Sequence, residues 1–194
     1  MNYGAFMNYG ITRDVALTLV KQHIKSTNML NHCLASEAVM MALAKKVGED
    51  PEKWGLAGLM HDLDAETHTD LNIHTLETAR ILHEHGVDEE IIEAIRLHNE
   101  QAHHGEQRST DFQHLLAAGE TITGLIVATA LVYPDKKLAS VKPKSVRKRF
   151  KAKAFAAGAN RDIIRECEVT GIPLDEFCDL SLLAMQEISS DLGL

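Results

Sequence analysis

Helix caps and helically spaced apolar residues recur along this chain, whereas strand patterns are nearly absent. Thr12 and Asp88 each stand three residues before the first of a series of apolar residues with helical spacing. Gly48 follows a long apolar segment, as is typical of a helix end. Asp50-Pro51 joins a capping side chain to the proline that favours the first helical position. The pattern predicts an all-α fold. Helices are expected over about 12–25, 28–47, 74–85, 88–98, 111–132, 145–157, 160–169 and 173–192, with another beginning at Asp50.

Length and composition are those of one globular domain. The chain has 194 residues, of which 45% are apolar and 25% are charged. That apolar content is enough for a real core without disulfides, and it excludes a disordered chain. We therefore expect one helical domain over 1–194, built from about eight or nine helices.

The charge is acidic overall but basic in one segment. Lys and Arg number 20 against 28 Asp and Glu, which gives a net charge of −8 and disfavours a nucleic-acid binder. Nine of the 20 basic residues lie within 136–153, where no acidic residue interrupts them. A solvated helix face is the simpler interpretation. The alternative is a surface that attracts a phosphorylated substrate, with Lys136, Lys142 and Lys144 as the candidate phosphate-binding residues.

Nothing in the sequence points to a membrane or to secretion. The longest apolar stretch, Gly124–Tyr133, is too short to cross a bilayer, and the first residues lack the basic and apolar regions of a secretory signal. Cys33, Cys167 and Cys178 are odd in number and lack CxxC spacing, which favours free thiols in a reducing compartment. A cytoplasmic location without membrane attachment is the expectation.

Histidine is the residue whose placement suggests chemistry, with 11 in the chain. Helical bundles build metal sites from inward side chains on facing helices, and imidazole with carboxylate suits Mn, Fe, Co, Ni or Zn. A carboxylate such as Asp62 is able to bridge two cations about 3.5–4 Å apart. The candidate metal ligands lie on or beside separate predicted helices: His32, His61, Asp62, His74, His98 and Glu120. The other histidines are interpreted as ordinary surface or hydrogen-bonded residues: His23, His68, His83, His85, His103, His104 and His114.

In order and spacing, these candidate ligands resemble those of the HD-domain superfamily of metal-dependent phosphohydrolases, in particular its small HDIG-type members. The family pattern is a first histidine, an HD doublet, often two further histidines, and a final aspartate. The corresponding residues here are His32, the doublet His61-Asp62, then His74 and His98, and finally Glu120, which replaces the aspartate four residues before Gly124.

The resemblance implies an HD-type helical bundle with its metal-site core at about 28–133, followed by a basic segment and C-terminal helices over 134–194. It implies a phosphomonoesterase or phosphodiesterase with one or two divalent transition metals, acting on a nucleotide or another phosphate ester. Asp62 and Asp64 are the expected catalytic residues, and Asp64 or Glu66 would act as a general base or would orient a metal ligand. One metal is expected at His32, His61, Asp62 and Glu120, and a second at Asp62, His74 and His98.

Two other functions stay open at this point. Some HD-fold proteins use a di-iron pair to cleave C–H or C–C bonds, and the same ligands could hold two irons. A non-catalytic nucleotide-binding module is the third hypothesis, because Glu120 is one methylene longer than the aspartate it replaces. A homodimer formed through a helix face is a further expectation.

Overall fold

The computed structural model describes residues 9–103 and 105–194, so residues 1–8 and His104 lie outside it. Within those ranges the fold is all-α, as predicted, with ten α-helices, three short 3₁₀ helices and no strand. The α-helices are α1 (Arg13–His23), α2 (Thr27–Val47), α3 (Pro51–Met60), α4 (Leu76–Glu84), α5 (Glu89–His98), α6 (Asp111–Leu131), α7 (Pro143–Lys151), α8 (Arg161–Ile164), α9 (Leu174–Glu187) and α10 (Ser189–Leu192). The 3₁₀ helices are Glu100–His103, Leu138–Ser140 and Arg165–Glu168.

The helix caps read from the sequence are confirmed where their signals are local. Thr12 caps α1, and the side chains of Asp50 and Asp88 accept backbone N–H bonds at the starts of α3 and α5. Gly48 ends α2 in the left-handed conformation, with φ +82°, which costs glycine little.

Several predicted boundaries are wrong by a few residues, and one segment differs more. The helix expected over 145–157 runs instead from Pro143 to Lys151, and residues 153–159 form turns. The segment 160–169 divides into α8 and a 3₁₀ helix, and 173–192 divides at Ile188 into α9 and α10. The second division explains why ten α-helices are described where about eight or nine were expected.

The core is built around the two longest helices, α2 and α6, with α3 packed closely against α2. Gly58 of α3 makes that approach possible, since a Cβ atom there would lie 2.6 Å from the backbone oxygen of Ser36. Ser36 is one helical turn after His32, and Gly58 is three residues before His61. The close contact therefore brings these two histidines towards each other.

Helix α6 is long and apolar enough to cross a membrane when judged by length and composition alone. The apolar stretch considered in the sequence began at Gly124, whereas the helix starts at Asp111. Most of α6 is buried inside the fold, where it packs against α2, α5, α8 and other helices. Its apolar character is thus accounted for by its place in the core. Cys33, Cys167 and Cys178 are free and buried in this core as well.

A buried ion-pair network fixes the end of α5 against the C-terminal helices. The Arg108 side chain is 1% exposed and contacts the carboxylates of Glu100 and Glu166, each at 2.5 Å. It also donates to the carbonyl oxygen of Leu97 at 2.7 Å, one of the last carbonyls of α5. Glu166 in turn accepts from Nδ1 of His114 at 2.7 Å. Because α5 ends at His98, this network supports the position of that histidine.

We expect Arg108→Leu to lower the free energy of unfolding by about 3–5 kcal/mol, because it leaves a half-buried carboxylate and a helix-end carbonyl without their partner. Urea denaturation followed by circular dichroism measures this. The control is Arg165→Leu, which removes an exposed pair with Glu168 and should cost less than about 1 kcal/mol. Equal effects of the two variants would contradict a structural role for the Arg108 network.

Candidate metal centre

Side chains from five parts of the fold meet at one buried cluster. His32 lies in the second turn of α2, and His61 and Asp62 directly follow the last residue of α3. His74 lies two residues before α4, and His98 is the last residue of α5. The sixth member, Glu120, lies in the middle of α6. The structure therefore brings together all six residues that the sequence named as candidate metal ligands.

Asp62 lies at the centre of this cluster, and its two oxygens face different histidines. Oδ2 is 3.4 Å from Nε2 of His61 and 3.6 Å from Nε2 of His32. Oδ1 is 3.1 Å from Nε2 of His74 and 3.5 Å from Nε2 of His98. Glu120 reaches the Oδ2 side, with its Oε2 3.7 Å from Nε2 of His32. Glu120 therefore reaches the cluster although its side chain is one methylene longer than that of the aspartate in the family pattern.

In three of the histidines, Nδ1 faces away from the cluster and donates a hydrogen bond to an uncharged oxygen. Nδ1 of His61 donates to the Gly58 carbonyl at 2.8 Å, and Nδ1 of His98 donates to the Ile95 carbonyl at 2.6 Å. Both acceptors are three residues earlier, at helix C-termini, where carbonyls lack intrahelical partners. A neutral imidazole that donates through Nδ1 carries its lone pair on Nε2. Both rings therefore present that lone pair to the cluster.

His32 is fixed in the same tautomer by a longer route. The hydroxyl of Thr123 donates its one proton to the Glu120 carbonyl at 2.7 Å, so it must accept from Nδ1 of His32 at 2.9 Å. Nε2 of His32 then lies 3.1 Å from Nε2 of His61. In the metal-free protein this contact needs a proton on Nε2 of His61, which the raised pKa of that ring favours. A cation beside the two nitrogens would take the place of that proton, so the donor set fits a metal.

Two groups of three residues could each hold a metal ion, because the ligand atoms within each group lie within 4.8 Å of one another. The first group is His32, His61 and Glu120, and the second is His61, Asp62 and His98. His61 belongs to both groups, but one imidazole nitrogen bonds a single metal. A carboxylate has two oxygens, so Asp62 is the residue suited to connecting two cations. The geometry fits a dinuclear centre of imidazole and carboxylate ligands, the type of donor set that transition metals favour.

The pKa values follow from burial and from the charges within the cluster. Burial opposes the ionisation of Asp62, but His61, His74 and His98 outweigh it and hold its pKa well below the usual range. Burial also disfavours protonated His74, yet its contacts with Asp62 and Asp64 raise its pKa to about 10. Without metal, this ring is therefore a cation held between two carboxylates at neutral pH.

Burial is the largest influence on the pKa values of the other candidate ligands. Burial, together with the nearby His61, lowers the pKa of His32 to about 4, and burial lowers that of His98 as well. Burial raises the pKa of the Glu120 carboxyl to about 7. For His61 the desolvation is outweighed by Asp62, so its pKa is raised. In the metal-free cluster, positive charge is therefore concentrated on His61 and His74, the two rings nearest to Asp62.

Asp64 is a positioning residue in this geometry and is closed off from the site. Its carboxylate is 0% exposed and accepts from Nδ1 of His74 at 2.7 Å and from the backbone N–H groups of Thr75 and Thr78. Thr75 has φ +85°, a strained value for a β-branched residue, and its bond to Asp64 stabilises that conformation. Of the two roles considered for Asp64, the structure favours orienting His74 over acting as a general base.

The cluster opens into a cavity of about 630 Å³. His32, Asp62, His74, His98 and Glu120 line one side of it. The other walls come from the segment before α4, the residues that follow α5, helix α6, the turn before α8, and α8 itself. Their residues are Leu71, Asn99, Gln101, Thr121, Gly124, Ala156, Gly158, Ala159, Asn160 and Ile163.

The remaining candidates from the sequence lie away from this cavity. Lys136, Lys142 and Lys144 are exposed, and none of them lines it. Glu66 is exposed and accepts from the backbone N–H groups of Lys25 and Ser26, so it holds the connection between α1 and α2. The expected phosphate clamp and the role of Glu66 at the site therefore do not agree with the geometry. A run of basic residues, or a position close to Asp62 in sequence, does not show whether a side chain faces the cavity.

Two residues that support the site were not identified from the sequence. Thr123 orients His32, and Arg161 organises the cavity wall by donating to the backbone carbonyls of Phe150, Phe155, Ala156 and Ala159. The position of Thr123, three residues after Glu120 on α6, is a signal that could have found it. Arg161 had no such signal, because its acceptors are backbone atoms of a turn that was predicted to be helical.

We expect Asp64→Asn to weaken binding of a second metal by about 10–100-fold, because the amide cannot hold His74 as an anion does. Titration of metal-depleted protein with Mn²⁺ or Co²⁺, read as bound metal per chain, measures this. Glu66→Gln is the matched control and should leave both affinities unchanged. Two unchanged binding steps in Asp64→Asn would rule out the positioning role.

Metal binding should release protons and strengthen as the pH rises. His74 has a raised pKa of about 10, so it is protonated at pH 7 and must lose its Nε2 proton to bind a cation. Affinity at the second site should therefore rise by up to about tenfold per pH unit until His74 titrates, and then level off. Calorimetry in buffers of different ionisation enthalpy counts the released protons. Binding heats that are independent of the buffer would contradict a protonated His74.

Comparison with protein families gives one match. The HD domain model matches residues 29–130, which contain all six residues of the cluster. Comparisons with curated proteins and with solved structures found no match. Membership of this family suggests a metal-dependent hydrolase, and the buried His/Asp cluster fits a bound divalent metal. Because more than half of its residues match the model, the chain belongs to the HD domain family.

Proposed function

We propose that this protein is a metal-dependent phosphohydrolase that cleaves a nucleotide or another phosphate ester at a centre with two divalent transition metals. The observation that carries this proposal is the position of Asp62, whose two carboxylate oxygens face two different sets of histidines. Such a bridging carboxylate suits two-metal phosphate chemistry. Mn, Fe, Co, Ni and Zn all suit the donor set.

The ligands divide between the two positions as follows. His32, His61, Glu120 and Oδ2 of Asp62 would hold one cation, and His74, His98 and Oδ1 of Asp62 would hold the other. Cations in such a centre supply Lewis acidity towards phosphate oxygens and towards a water molecule. Asp64 and Thr123 keep His74 and His32 in the orientation that binding needs.

Neutral polar groups on the cavity wall are the candidates for orienting the substrate. Asn160 uses its Oδ1 to accept from the backbone N–H groups of Asp162 and Ile163, which leaves its NH₂ group as the part able to donate. Gln101 also lines the cavity. Side-chain amides at these positions would donate to phosphate oxygens without adding charge. The basic segment 136–153 would act at longer range by attracting an anionic substrate.

The strongest alternative is an oxygenase with a di-iron pair at the same ligands. The donor set, four imidazoles and two carboxylates around a shared Asp62, is also suited to iron. A non-catalytic nucleotide-binding module would use the same cavity without turnover. Metal identity and oxygen consumption distinguish these functions from hydrolysis.

We expect His61→Ala to abolish both metal binding and phosphate-ester hydrolysis, since His61 lies 3.1 Å from His32 and belongs to both groups of donor atoms. Plasma mass spectrometry measures metal per chain, and phosphate release is assayed with nucleotides and simple esters. The wild type should carry about two equivalents of metal. The control is His83→Ala on the exposed end of α4, which should change neither quantity.

Three outcomes would contradict the proposal. Full hydrolysis by His61→Ala would show that the cluster is not the catalytic centre. Two irons per chain with oxygen consumption and no phosphate release would favour the oxygenase. Tight nucleotide binding without turnover in the presence of any of the five metals would favour the binding module.

A further inference from the structure

A second cavity adjoins the one at the metal cluster. It has a volume of about 430 Å³ and shares two lining residues, His32 and Gly124, with the first cavity. We call it the second chamber. Apart from its junction with the first cavity, its walls are mainly apolar and include Ala35, Val127, Ala128, Leu131, Leu192 and Leu194. A group that enters at the metal cluster could therefore extend into an apolar space.

Among the described residues, no charged side chain other than the titratable ligand His32 lines the second chamber, and the charged side chains of the first cavity are those of the metal cluster. Among the described residues, no lysine or arginine lines either cavity, and no acidic residue lines the second chamber. Asn28 and Asn31 are the amides on its walls, and Asn31 already donates to the backbone oxygen of Leu192. The chamber is open to solvent on one side, where Asn28, Gly124 and Leu131 are exposed. A charged group here would find no charged side chain as a partner, whereas an apolar group would be partly buried against the aliphatic walls. The chamber is suited to an uncharged, largely apolar group.

Gly124 lines both cavities and so lies at the junction between them. It lies inside α6, where glycine is less favourable than alanine, and its φ is not in the left-handed region. Gly119 on the same helix is explained by packing, since a Cβ atom there would lie 3.1 Å from Sδ of Met40. At Gly124 a Cβ atom would meet nothing within 4 Å. Neither packing nor backbone conformation requires glycine at this exposed position, and because Gly124 lines both cavities, a large side chain here would project into the space where they meet.

One face of α6 connects the metal cluster with the second chamber. Glu120, Gly124 and Ala128 follow at intervals of four residues and so lie on the same side of the helix. At about 1.5 Å per residue, Glu120 and Ala128 are about 12 Å apart along the axis. This distance sets the length of organic group that would reach from the cluster into the chamber.

The geometry points to a substrate with a single phosphate group and an uncharged, largely apolar organic part that passes Gly124 into the second chamber. This inference rests on the proposed hydrolase function. Hydrolysis would break the P–O bond to the alcohol and form a P–O bond from water, whose proton goes to the alcohol oxygen. The products are the free alcohol and inorganic phosphate. Additional phosphates would find no lysine or arginine among the described residues that line either cavity.

The test uses n-alkyl phosphates from ethyl to decyl as substrates and the matching alkyl phosphonates, which cannot be hydrolysed in this way, as ligands. With metal-loaded wild-type protein, kcat/KM and phosphonate affinity should rise by about fourfold per methylene once the chain reaches the second chamber. Gly124→Leu, which closes the junction, and Ala128→Leu, which fills the chamber, should remove this dependence on chain length. The control Ala139→Leu, at an exposed alanine outside both cavities, should keep it.

The two readouts separate this inference from the proposed function. If phosphonate affinity depends on chain length and on Gly124 but no phosphate is released, the hydrolase proposal fails and the assigned binding site stands. If esters are hydrolysed with no dependence on chain length, or if Gly124→Leu does not remove that dependence, the inference is overturned. A preference for a nucleoside triphosphate over the monophosphate of the same nucleoside would also overturn it.

Discussion

The interaction on which this structure depends is that of the Asp62 carboxylate with the imidazoles around it. A buried anion is costly unless it is paired, and four rings lie 3.1–3.6 Å from this one. In the metal-free protein the positive charge comes from His74 and His61, whose pKa values are raised, and bound cations would supply it in the loaded protein. Those rings come from α2, the end of α3, the segment before α4 and the end of α5. The close approach of α2 and α3 at Gly58 and the network that fixes the end of α5 at Arg108 therefore both serve the geometry of this cluster.

The orientation of each imidazole ring is set by the group that accepts a hydrogen bond from its Nδ1 atom. His61 and His98 use carbonyls that helix ends leave free three residues earlier, so their tautomers follow from local helix geometry. His32 and His74 need partners from elsewhere in the chain, Thr123 and Asp64. The centre thus combines two ligands that are oriented by their own helices with two that depend on tertiary contacts.

Helix α6 links this chemistry to the space available for a substrate. It carries Glu120 at the cluster, Gly124 at the junction and Ala128 in the second chamber, all on one face. The turn held by Arg161 lines the first cavity with small, uncharged residues. Charge in the cavity is therefore concentrated at the cluster.

The amino-acid sequence was enough to predict the all-α fold, the caps at Thr12, Asp50 and Asp88, and the cluster that Asp62 forms with five other candidate ligands. Caps act within a few residues, and an ordered series of ligands on separate helices is visible along the chain. Four other features became clear from the packed fold. Asp64 faces His74, and the helix that begins at Pro143 stops at Lys151. A second chamber adjoins His32, and three lysines lie away from the first cavity: Lys136, Lys142 and Lys144. Each of these depends on how distant segments pack, which spacing along the chain does not encode.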